Sequence, residues 1–185
     1  FGLDAGGAYS ELDASITPAN ITDGKWHHIV ATYDGMDKYL YLDGSQIGTE
    51  SKTGSIAFAS VTNSIGSSRG TTEYFDGQMD EVRFWNTARS LAQINLFNGQ
   101  ELNGTEPNLI AYYDFSDGPT SGTLTDNSTN SNNGTLTNMD NANDWTITGH
   151  GIASPNALDT TQPSVTITSA ESGTTGLSPF SVTVT

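Results

Sequence analysis

The sequence contains no cysteine. Disulfides and thiolate metal sites are therefore excluded, and the fold must be held by burial and hydrogen bonding. Positive charge is scarce: 6 Lys and Arg stand against 21 Asp and Glu, a formal net charge of −15. A phosphate backbone would be repelled, which excludes nucleic acid as a partner and makes an anionic membrane surface equally unfavourable. No apolar run approaches the roughly 20 residues that span a bilayer, which argues against direct membrane insertion. The 3 histidines, with the neighbours they have, give no Ser-His-Asp constellation.

What is present favours strands. The chain has 20 glycines and many Thr, Ser and Asn, a composition of turns and short β-segments. In "KWHHIVATY", Trp26, His28, Val30 and Thr32 fall on one face and His27, Ile29, Ala31 and Tyr33 on the other. Both faces are partly apolar, as in a strand inside a two-sheet sandwich. Adjacent His27 and His28 point to opposite faces and cannot share one metal ion. "KYLYLDG" alternates again, and Asp43-Gly44 turns it into "SQIGTE", so Thr32 to Thr49 reads as a meander. "SIAFAS", "NSIGSS", "GQMDEVRFWN" and "NLIAYYDF" supply further strands. One stretch, "SLAQINLF", reads as a short helix capped by Ser90, with Leu91, Ile94 and Phe97 toward the core. Asp117 to Trp145 is rich in Asn, Asp, Thr and Gly, anchored by Leu124, Leu136, Met139 and Trp145.

Taken in order, "DGKWHHIVATYDG", "YLYLDGSQIG", "SIGSS", "YFDGQMDEVRFWNTARSLAQI" and "LIAYYDFSDG" resemble the bacterial laminin G-like domains. These belong to the concanavalin A-like lectin and glucanase group and are related to pentraxins. "FDGQMDEVRFWN" is the most specific element. The resemblance implies an all-β fold, a two-sheet antiparallel jelly-roll sandwich with one short helix. Residues 1–148 are expected to form it, with strands missing before Phe1 and 109–148 as the closing segment. Residues 149–162 read as a linker. Residues 163–185 resemble the start of an Ig-like repeat of large bacterial surface adhesins, including those of gliding bacteria.

The resemblance also frames the chemistry. Glucanases of this fold carry three acids on one strand; here Glu11 and Asp13 match the first two, and Ser15 and Ile16 stand where the third belongs. Asp80 and Glu81 are adjacent and face oppositely unless a bulge intervenes. A non-catalytic module is therefore expected. The pentraxin calcium position reads Ser67, Ser68 and Arg69, without a carboxylate. For a single structural Ca²⁺ the candidate ligands are Asp80 and Asp126. Against this, Asp80 reads equally as a buried hydrogen-bonded carboxylate, and "TDNSTNSNNGT" as a loop whose Asn side chains mimic backbone bonds.

For carbohydrate the candidates are Arg69, Glu73 and Tyr74, on the loop that is the ligand side in pentraxin-like modules, and the Tyr39/Tyr41 strand face. The tyrosines read alternatively as half-buried packing. The expected role is binding of a glycan or surface polymer at the exterior of a bacterial cell, alongside other domains of a large adhesin. The competing expectations are a structural spacer in a surface fibre and an accessory module of a polysaccharide-degrading enzyme.

Overall fold

The computed structural model describes residues 1–57, 63–67, 73–118, 120–139 and 144–145, and the backbone of 180–184. Strands β1 (Gly2–Ala5) and β2 (Ala8–Glu11) form a hairpin. A 3₁₀ turn, Pro18–Asn20, leads to the meander β3 (Ile29–Tyr33), β4 (Asp37–Leu42) and β5 (Ser45–Ser51). Then come β6 (Val82–Trp85), α1 (Leu91–Phe97) and β7 (Leu109–Tyr113). Two short strands, β8 (Thr123–Leu124) and β9 (Gly134–Thr135), pair with each other, and β10 (Phe180–Val184) follows. The pairings are antiparallel, and one α-helix accompanies them: the fold is all-β, consistent with a concanavalin A-like sandwich. No described helix is long and apolar enough to cross a membrane.

The main sheet has the order β5-β4-β3-β10-β6-β7. Alternation divides its side chains between two faces. His28, Val30, Thr32, Tyr41, Arg83, Trp85 and Tyr112 are buried, and α1 closes over this group with Ile94 and Phe97. On the opposite face Tyr33 packs with Leu3 and Ala5 of the β1–β2 hairpin. Farther along, Val82, Ala111 and Tyr113 pack with Ile65, Phe115, Leu124 and Trp145. Fully burying an apolar side chain of this size contributes about 1.5–3 kcal/mol, so these clusters dominate stability.

Each element follows from its residues. The Asp43-Gly44 turn takes positive φ at both positions, as a two-residue hairpin requires. A side chain at Gly44 would also be strained by its φ of +76° and would push aside the Asn95 side chain of α1. Ser90 caps α1 reciprocally with Gln93, and Ile94 is its buried residue. The expected core position Leu91 is instead exposed, because the helix meets the sheet through Ile94 and Phe97 alone. Trp26 to His28 lie outside β3, which begins at Ile29.

The Asn-rich segment covers the sheet edge. Strand β7 is terminal in the sheet, and its outer backbone groups find side chains instead of another strand. Asp126 Oδ1 accepts from Tyr112 N–H at 2.8 Å. Ser128 Oγ and the amides of Asn130 and Asn132 donate to the Ile110 carbonyl at 3.1, 3.0 and 2.9 Å. The four anchors expected in this segment all pack into one cluster, Leu124 and Trp145 buried, Leu136 and Met139 against them.

Five residues of the segment expected to open an Ig-like repeat, Phe180–Val184, pair with β3, and Ser181 to Thr183 among them also pair with β6. The expected linker, and residues 163–179 of that repeat, lie outside the described residues.

Candidate functional site

The outer face of the β1–β2 hairpin carries the first group. Leu3 and Ala5 point inward, which turns Gly2 and Asp4 outward. Across the ladder, Asp4 faces Tyr9 and Gly2 faces Glu11. The Tyr9 ring lies over Gly2, where any side chain would collide with it. Glycine therefore lets the ring lie along the hairpin, 64% exposed. Desolvation is the first cause that raises the Tyr9 hydroxyl above its ordinary value, and the charges of Glu11, Asp13 and Glu73 push the same way.

A second group of exposed residues begins at Glu73. Glu73 has φ of +52°, and the two residues after it are exposed aromatics, Tyr74 at 58% and Phe75 at 45%. The Phe75 ring lies over Gly77, and the Phe75 N–H donates to the Gly66 carbonyl at 2.8 Å, which fixes the start of the aromatic pair. Of the residues expected here, Glu73 and Tyr74 are thus surface groups. Tyr9 itself was not anticipated, although its alternation with inward residues of "GLDAGGAYSE" carries the signal. Arg69 lies outside the described residues.

Tyr39 and Tyr41 do share a face, with ring centroids 6.3 Å apart. They do not form an open platform. Tyr41 is only 6% exposed and packs with Val30 and Ile94, so its faces are spent on the core.

Asp80 and Glu81 are both fully buried. Glu81 has φ of +55°, and this left-handed residue breaks the alternation that would have turned one acid outward. Asp80 Oδ1 accepts from the Glu81 N–H at 2.8 Å, and burial pushes the Asp80 carboxyl up to about 8. Burial also raises Glu81, to about 7, against the pull of Arg83 and of the Tyr112 hydroxyl, which donates to it at 2.6 Å. Arg83 pairs with Glu81 and donates to the carbonyls of Phe97 (3.0 Å) and Gln100, tying the end of α1 to the sheet. This ion pair was not legible in the sequence.

Asp126 is likewise structural. Its two oxygens accept from Tyr112 N–H, Ser128 N–H, Ser128 Oγ–H and Asn132 N–H, all within 2.9 Å. Among the described residues no three His, Asp or Glu side chains are placed to hold a metal ion. Asp80 Oδ1 and both oxygens of Asp126 thus accept from the chain's own donors.

The histidines diverge as the alternation requires. His27 Nδ1 lies 2.8 Å from Asp43 and Nε2 lies 3.0 Å from Asp23. Hydrogen bonds from Asp43 and then Asp23 raise its pKa. His28 is buried, and desolvation lowers it to about 4. It lines a cavity of about 10 Å³ with Arg83, Arg89 and Phe97. That volume suits one water and excludes a sugar.

The chain's known likeness covers the hairpin, the meander, the 73–76 loop and β6. A family profile described as the concanavalin A-like lectin/glucanases superfamily matches residues 1–95. No curated protein and no solved structure matches.

Proposed function

The chain belongs to the concanavalin A-like lectin/glucanases superfamily, and we propose that it is a non-catalytic carbohydrate-binding module of a large bacterial cell-surface adhesin. The observation that supports the reading is the set of solvent-facing aromatics Tyr9, Tyr74 and Phe75, each close in sequence to an exposed acid, Glu11 or Glu73. An aromatic face stacks on the CH groups of a sugar, while carboxylates accept from its hydroxyls. Both partners are wet before binding, so each contact is modest, and affinity grows with the number of sugar units engaged.

The absence of catalysis rests on where the acids sit. Glycoside hydrolysis needs two carboxyl groups flanking the scissile bond. Asp80 and Glu81, the two carboxyls that burial pushes up to about 8 and about 7, have no exposed surface and cannot reach a substrate. Glu11 and Asp13 are exposed, without the third acid of the glucanase pattern. A structural spacer in the same surface fibre is the reading that takes over if no glycan binds.

A glycan array probed with the chain tests this. Binding to at least one polysaccharide class is expected, weakened about tenfold by Tyr74→Ala, since an aromatic contact is worth about 0.5–1.5 kcal/mol. An array blank across neutral, amino and acidic glycans contradicts it.

A further inference from the structure

We infer that the cavity beneath α1 is a binding site for one buried water, which bridges the Nε–H of Arg83 to the imidazole of His28. The inference is independent of the carbohydrate-binding reading. Two observations meet at this place. The first is space. The cavity has a volume of about 10 Å³ and is walled by His28, Arg83, Arg89 and Gln93 together with Trp85 and Ile94. One water needs about 10–15 Å³, so the cavity takes one and no more. The second is hydrogen bonding left unmet inside the protein. His28 is 2% exposed and Arg83 1%. Neither ring nitrogen of His28 has a hydrogen-bond partner within the chain, and neither does Arg83 Nε. The two terminal nitrogens of the guanidinium are fully engaged, one with the Phe97 carbonyl and the other with Glu81 and the Gln100 carbonyl. Nε is the donor that remains. A buried donor without an acceptor has given up its hydration for nothing in return.

The pattern of donors and acceptors selects the occupant. Burial lowers His28 to about 4, so near neutrality its ring is uncharged, with a hydrogen on one nitrogen and a lone pair on the other. Arg83 Nε can only donate. A water accepts from Nε–H and donates to the bare nitrogen of His28, which gives it the two polar partners that a buried water requires. An anion fits less well. The charge of Arg83 is already matched by Glu81, Arg89 is stacked on the Trp85 ring at 4.0 Å, and the chain as a whole stands at −15. The bridge also has a structural consequence. His28 directly precedes β3 and Arg83 lies in β6, and β10 separates those two strands in the sheet. No backbone ladder joins β3 to β6 directly. The water links them through side chains, under the helix that covers both.

The test has two arms, both on the whole chain. The first is a high-resolution crystal structure at pH 7, with a second crystal soaked in bromide. One water is expected within about 2.7–3.2 Å of both Arg83 Nε and a His28 nitrogen, with no anomalous bromide peak at that position. The second is oxygen-17 magnetic relaxation dispersion, which counts waters held longer than the protein takes to tumble. His28→Phe keeps a planar ring and removes the acceptor, and it should hold one long-lived water fewer than the parent chain. If His28→Phe does not fold, the parent crystal decides alone. A dry cavity overturns the inference. So does a bromide peak in it, or an Arg83 Nε–H bonded directly to the His28 ring. An unchanged number of long-lived waters in folded His28→Phe overturns it as well.

Discussion

His27 and His28 are neighbours in sequence with opposite electrostatic fates. A ring with carboxylates on both nitrogens needs a proton on each, so His27 is bonded as the imidazolium between Asp43 and Asp23. Its pKa is raised, so its contribution to stability is complete below the unfolded value near 6.5 and is lost as pH rises through the higher folded value. His27→Gln should therefore lower the melting temperature at pH 5 and have less effect at pH 9. An effect equal at both pH values would show that the clamp carries no charge. His28 runs the other way. Buried and lowered to about 4, it stabilises above 6.5 and loses that contribution as pH falls toward 4. The opposite directions of the two side chains were legible from strand alternation; their charge states were not, because they depend on Asp23 and Asp43, met only through folding. Asp126 shows the same limit. Its place in an Asx-rich loop was visible, but its service to the edge strand β7 was not. Asp126→Ala strips four donors of their acceptor. The expected cost is about 3 kcal/mol, within the range for unsatisfied buried groups. The loss should be the same in Ca²⁺, Mg²⁺ and chelator. A melting temperature that Ca²⁺ raises in the parent chain and not in the variant would return Asp126 to the role of a metal ligand.

Among the elements, the meander and α1 were the most readable. Alternating residues separated by Asp-Gly give β3 to β5, and Ser90 followed by Gln93 gives the start of the helix. The reading failed where one residue changes the period. Glu81 at positive φ turned both acids of "MDEVRF" inward and confined β6 to Val82–Trp85. It failed again for β10, because alternation in "FSVTVT" specifies a strand and says nothing of which sheet receives it. The structure puts β10 in the centre, with Val182 opposite both Ala31 and Phe84. It joins the meander to the β6–β7 pair. A proline in an interior strand removes a ladder donor and is poorly tolerated there. Val182→Pro should therefore lower the melting temperature and speed amide exchange in β3 and β6 together. Slow exchange persisting in β3 and β6 of that variant would mean that β10 does not bridge them.

At the scale of the whole molecule, the sandwich gives its two sides different work. One side of the main sheet is closed by α1 over a polar core of Arg83, Glu81 and Tyr112, beside a water-sized cavity. The other is covered by the β1–β2 hairpin, whose inner residues complete the core and whose outer residues stay free. A net charge of −15 keeps such a surface hydrated and repels acidic polymers. The exposed aromatics lie on the hairpin and the 73–76 loop, within the residues that the superfamily profile matches. The superfamily was legible from the ordered motifs; of the residues of the proposed binding surface, Glu73 and Tyr74 were singled out by the sequence and Tyr9 was not. Locating the ligand on the chain is therefore the decisive observation. A titration of the ¹⁵N-labelled chain with the best-binding oligosaccharide, followed by amide chemical shifts, would do so. The shifts should move first and farthest at Tyr9, Glu11, Glu73 and Tyr74, and Tyr41 and the α1 residues should stay still. Perturbation centred on the Tyr39–Tyr41 side or on α1, with Tyr9 and Tyr74 unmoved, would contradict it.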